Sequence, residues 1–172
     1  FEKLLINNSS GVNQNQNVQV DQQLIFGTPG GILTTSGYKL INTNTAGVND
    51  AVTGYSSTGF VNGTIRQYTI DAGTYYLPCG NAATYELATY EQISNTGLSY
   101  IDAFFTEDHT QIPSGGLTVN GQLISEFLDY GYWTITPQTG GTATYNVIVR
   151  SEGHSNGGGT PDLYSVVTNT GT

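Results

Sequence analysis

No stretch of this chain keeps an amphipathic helical period for long, and that decides its fold class. Apolar residues come instead in short alternating runs rich in Val, Ile, Thr and Tyr, cut by Gly, Asn and Pro. Such runs read as strands that turn one face to a core and the other to solvent. The exception is GQLISEFLDYG (121–131), where Leu123, Ile124, Phe127 and Leu128 have helix-like spacing, enough for one short helix or none. The chain reads as all-β.

Two styles of strand text follow one another. Residues 1–58 contain KLLINNSSG, NVQVDQQLIFG, GGILTTSG and YKLINTNTAG, very short strands joined by small polar turns. Their spacing resembles the rungs of a β-solenoid, with a meander as the alternative. VNQNQNVQVDQQ (12–23) suits a ladder of stacked side-chain amides between rungs, or simply the polar face of a strand. Residues 59–172 carry longer runs, GTIRQYTI, GTYYLP, TYELATYEQI, LSYIDAFFT, YWTITP, ATYNVIVR and DLYSVVT. Alternation puts Trp133 and Ile135 opposite Tyr132 and Thr134, and Ile101, Ala103 and Phe105 opposite Tyr100, Asp102 and Phe104. It likewise sets Tyr145, Val147 and Val149 against Asn146, Ile148 and Arg150. This second part is expected to form a Tyr-rich antiparallel β-sandwich.

Charge excludes several functions. The chain has 172 residues, a formal net charge of −9 and only four basic residues, Lys3, Lys39, Arg66 and Arg150. No basic stripe for nucleic acid can be assembled from these, nor a patch for anionic membranes. No apolar run is long enough to insert as a helix. Charged residues make up only 10% of the chain, so Asn, Gln, Thr, Ser and Gly must keep it in solution, which fits an extracellular β-rich surface. The single cysteine, Cys79, excludes a disulfide framework. The chain opens at Phe1, without methionine and within strand text, and is read as a processed chain or a piece of a longer one.

The segment FEKLLINNSSGV…VQVDQQLIF…GGILTTSGYKLINTN resembles the repeated strand pattern of large secreted surface proteins of Bacteroidota. SGFVNGTIRQYTIDAGTYYLPCGNAATYELAT and YWTITPQTGGTATYNVIV are similar to the segments that follow it in those proteins. The resemblance implies an adhesin-like or filamentous module, exported by the type IX secretion route, without catalysis. Nothing in the chain resembles the sorting domain of that route. In the resembled pattern the position of Cys79 usually carries valine, which makes Cys79 a buried plug between the strand-ending Pro78 and the turning Gly80.

Candidate sites are few. A cysteine nucleophile would need His109 or His154 beside Cys79 to take its proton, and neither is near it in sequence. Glu107 and Asp108 offer hard oxygen ligands for calcium, although no D-x-D-x-D-G loop is present. Glu152 and His154 lack the further ligands zinc wants. Sugar rings stack on exposed aromatics, which makes Tyr130 and Tyr132 candidates for glycan binding, with Tyr75, Tyr76, Tyr85, Tyr90 and Tyr100 nearby in sequence. Trp133, in phase with Ile135, is expected in the core. The expected partners are neighbouring modules or identical subunits meeting at open strand edges, with surface glycans as an alternative. No cofactor beyond calcium is suggested.

Overall fold

The computed structural model describes residues 1–45, 51–82, 84–108, 117–119, 122–124 and 131–150. All regular structure among them is strand: β1 (Lys3–Ile6), β2 (Val12–Asn13), β3 (Val18–Val20), β4 (Gln23–Phe26), β5 (Leu33–Asn42), β6 (Val52–Thr53) and β7 (Val61–Tyr68). These are followed by β8 (Gly73–Gly80), β9 (Tyr85–Thr96), β10 (Tyr100–Thr106), β11 (Leu117–Val119), β12 (Gln122–Ile124), β13 (Tyr132–Pro137) and β14 (Thr142–Arg150).

The N-terminal strands stack in parallel, which excludes a meander and makes a solenoid-like arrangement of about three turns. On one wall β1 pairs with β4 and β4 with β6. On another, β2 and β3 both pair with β5, and β5 pairs with β7. Register lines up apolar residues one above another: Leu4, Leu24 and Val52; Val12, Leu33 and Val61; Val18, Leu40 and Ile65. A short strand buries too little to stand alone, and stacking turns these isolated residues into continuous columns. Each fully buried leucine in them contributes about 1.5–3 kcal/mol.

The corner of the stack is built by residues that look unremarkable in sequence. Between Thr34 and Lys39 the register of β5 against β7 shifts, with Ser36 at φ 53°. Gly63 stands opposite that shift at φ 131°, and a Cβ there would come within 1.9 Å of Thr35 Oγ1. At the same corner β7 changes partners. Val61 and Asn62 pair with Cys79 and Gly80 of β8, whereas Ile65 to Tyr68 pair antiparallel with β10.

Two branches therefore spread from β7, one antiparallel throughout, to β10 and β13, and one that starts parallel at β8 and turns antiparallel through β9 to β14. Hydrogen bonding makes them parts of one nine-stranded sheet that also includes β2, β3 and β5. The parallel pairing runs on past residue 58 into β7 without a break. One hydrophobic cluster joins Leu24, Leu40 and Val61 of the stack to Leu77, Tyr90 and Ile101 of the branches. The expected faces are in place: Ala103 pairs with Ile135 and Phe105 with Trp133, while Val147 and Val149 pack against the core.

Three local expectations are corrected. Pro78, Cys79 and Gly80 lie inside β8, and the turn comes at Asn81–Thr84, where Asn81 N–H donates to Thr84 O at 3.0 Å. Gly80 is required there not for turning but because a Cβ would meet Thr84 O at 2.1 Å and the Phe60 ring at 2.8 Å. The amides of 12–23 do not form the ladder: Asn13, Asn15, Gln16, Asn17 and Gln19 are exposed, and only Gln14 is buried. The buried amides are Asn42 and Gln67, which sit in register on β5 and β7, together with Gln92. They hold turn carbonyls: Asn42 donates to Ala51 O, Gln67 to Asn44 O and Tyr68 O, and Gln92 to Thr69 O and Asp71 O. Finally, Gln122–Ile124, in the segment with helix-like spacing, is strand, paired with Leu117–Val119. The rest of that segment up to Tyr130 lies outside the described residues.

Candidate functional site

The largest concentration of chemistry is on the outer face of β5, β7, β10 and β13. Register sets Ile41, Arg66, Asp102 and Thr136 in one cross-strand row. Tyr68 pairs with Tyr100 in the next. Two of the four basic residues of the chain converge on one carboxylate. Arg66 grips Asp102 bidentately, Nε to Oδ1 at 2.7 Å and Nη2 to Oδ2 at 2.9 Å, and Lys39 Nζ donates to Oδ2 at 2.6 Å. The guanidinium also stacks over Tyr100, 3.8 Å from the ring centroid, and the Tyr68 ring lies 5.7 Å from Tyr100. A cation on an aromatic face and a fork on a carboxylate fix Arg66 in two directions at once.

Burial acting on Asp102 would raise its pKa. The hydrogen bonds from Arg66 and Lys39, with their charges, more than offset that and hold the carboxyl below the ordinary aspartate range. Asp102 is therefore ionised at neutral pH, and the trio carries a net charge of one positive unit on a chain of −9. Along the same face stand Phe104 and Thr134, and Tyr132, 45% exposed, opposite Thr106.

A second unusual feature is the first rung of the stack. Leu4, Val12 and Val18 point into the same columns as Leu24, Leu33 and Leu40, yet they are only partly buried while the second-rung leucines are 2% exposed or less. Among the described residues β1 pairs with β4 alone, and β2 and β3 with β5 alone, while Gln19 O of β3 also accepts from the Phe1 ammonium at 2.8 Å. Leu5 of β1 is 58% exposed.

The remaining sequence candidates fall as follows. Cys79 is fully buried, in the column of Val61, with its Sγ 3.9 Å from Ala103 O. Burial pushes the thiol far above its usual pKa, so no thiolate forms there at neutral pH. His109, His154 and Glu152 lie outside the described residues, as does Tyr130. Glu107 is exposed and accepts a hydrogen bond from Asn81 Nδ2, and Asp108 follows it. Among the described residues no group of three or more His, Cys, Asp or Glu side chains could hold a metal ion. Trp133 is half-buried, edge-on to Phe105 at 5.9 Å. Tyr75 and Tyr90 are core residues whose hydroxyls burial pushes up to about 12, helped by the charge of Asp71 for Tyr75 and by Tyr145 for Tyr90. Tyr76 and Tyr85 pack around Tyr55, at 5.8 and 6.5 Å between centroids. Of the described tyrosines considered for a platform, Tyr100 and Tyr132 share the outer face of β10 and β13.

Sequence reasoning had Asp102 and Tyr100 on one side of β10 but had no means of bringing Lys39 and Arg66 to them. Lys39 is 63 residues from Asp102, and only the order β5, β7, β10 makes them neighbours. Compared with protein-family models, with curated proteins and with solved structures, the chain matches none.

Proposed function

We propose that this chain is an extracellular structural and adhesive module, acting by strand pairing and surface contact without catalysis. The observation that carries the reading is the parallel stack, whose apolar columns continue in register from rung to rung. At the first rung Leu4, Val12 and Val18 are only partly buried, beside Ile6 and Val20 of the same strands at 3% and 0% exposed, and among the described residues β1, β2 and β3 each pair with a strand on one side only. An edge of this kind is a template for another strand, and adding one would bury the column ends and pair the free backbone groups together. A neighbouring module of the same build or an identical subunit supplies such a strand.

The low charge content supports close packing of modules, and the strand pattern similar to secreted surface proteins of Bacteroidota supports a place at the cell surface. Filament formation, gliding motility and type IX export belong to the same reading.

Sedimentation of the chain over a range of concentrations tests it. Self-association is expected, and Leu5→Lys, a charge on the exposed side of the edge strand, should weaken it while leaving the melting temperature in place. A chain that stays monomeric up to its solubility limit would overturn the reading.

A further inference from the structure

We infer that the outer face of β7, β10 and β13 is a binding platform for an uncharged polysaccharide, with Tyr100, Phe104 and Tyr132 as stacking surfaces and the Arg66–Asp102–Lys39 cluster as its polar centre. The inference is independent of the strand-pairing role, since the first rung lies at a different edge of the sheet.

Four observations carry it. The aromatic residues follow one line on one face: Tyr100 and Phe104 lie on β10, and Tyr132 sits opposite Thr106. At roughly 3.3 Å per residue, the step from Tyr100 to the level of Thr106 covers about 20 Å, longer than one sugar ring and suited to a short run of them. Between the aromatics lies a carboxylate able to accept from hydroxyl groups, flanked by guanidinium and ammonium donors. These groups already hold one another at 2.6–2.9 Å, so a ligand meets a prearranged set of donors and acceptors and orders little on binding.

Charge then selects the polymer. The trio keeps one positive unit, but both its cations are held by Asp102 and the whole chain carries −9, so a polyanion meets no unpaired cation at the trio and is repelled elsewhere. A neutral polyhydroxyl chain is free of that penalty. Finally, the rings reach solvent, although Arg66 lies over Tyr100 at 3.8 Å from its centroid. Tyr132 is 45% exposed, and Tyr68, Tyr100 and Phe104 are half-buried rather than sealed in the core.

The test is affinity electrophoresis of the full chain in gels containing neutral polysaccharides (β-glucan, xylan, mannan and starch), with alginate and chondroitin sulfate as acidic counterparts. Retardation by at least one neutral polymer and by neither acidic one is expected. Tyr132→Ala and Phe104→Ala should each weaken that retardation about three- to tenfold, the scale of one lost stacking contact. Tyr132→Phe should keep most of it. Tyr132 is exposed, so its variants fold, and unchanged melting temperatures verify this. Three results overturn the proposal: no retardation by any neutral polymer, retardation by the acidic polymers alone, or retardation that Tyr132→Ala and Phe104→Ala leave untouched.

Discussion

The first and last rungs of the parallel stack carry the same apolar columns and end in different ways. At the far end the column of Val12, Leu33 and Val61 is closed by Cys79, and that of Val18, Leu40 and Ile65 by Ala103, both 0% exposed. At the near end nothing described lies above Val12 and Val18, and both are half-exposed. A parallel stack has no internal reason to stop, because every rung leaves the next ladder open. It ends where something of another kind covers it. Here the antiparallel β10 covers the column of Ile65, while β8 continues that of Val61 in parallel and then pairs antiparallel with β9.

Truncating one column at two levels should produce the largest difference in stability. Leu24→Ala, in the sealed second rung, should cost about 2–5 kcal/mol, and Leu4→Ala, directly above it, about 1 kcal/mol, because water already reaches that level. Chemical denaturation of both variants measures this. Equal losses would mean that the first rung is as closed as the second.

At the capped end, Cys79→Ser places a hydroxyl in a fully buried site, with the Ala103 carbonyl 3.9 Å from Sγ and the Ile65 backbone beside it, at an expected cost of about 1–3 kcal/mol. Cys79→Ala should cost less than serine despite being smaller. The opposite order would show that the site accepts a polar group and is not a dry cap.

The smallest effect is expected in the branch that bears the charge cluster. Asp102→Asn leaves Lys39 and Arg66 facing each other without their carboxylate and should cost about 1–2 kcal/mol at neutral pH, discounted for the partial exposure of all three groups. The folded Asp102 carboxyl titrates below its unfolded counterpart, so on acidification the unfolded chain takes up the proton first. The wild-type advantage is therefore present above about pH 4 and lost as pH falls through the folded pKa. Melting curves of the two proteins should converge toward acid pH; a gap that persists unchanged there would assign the loss to packing.

How far the sequence could be read depended on the range of the interaction. Alternation is a property of neighbouring residues, so the faces of β10 and β13 were legible down to Ile101 and Ile135. The PCG segment misled because proline and glycine signal turns locally, while β8 is held straight by pairing with β9 along its length and with β7 at Cys79 and Gly80. Amides misled for a similar reason. The run at 12–23 is conspicuous in composition, yet it buries only Gln14, while Asn42 and Gln67 are buried on β5 and β7 where chain carbonyls remain to be satisfied.

By itself, then, the amino-acid order determined that the chain is all-β, that its first strands are short enough to need stacking, and that it cannot form a basic surface. Those are consequences of periodicity and composition, which act along the chain. Only the tertiary structure decided that the stack is parallel, that β8 and β10 cover its far end, and that Lys39, Arg66 and Asp102 meet beside Tyr100. These depend on which strand lies next to which, and strand order is fixed by burying a common core, not by any residue's neighbours in sequence.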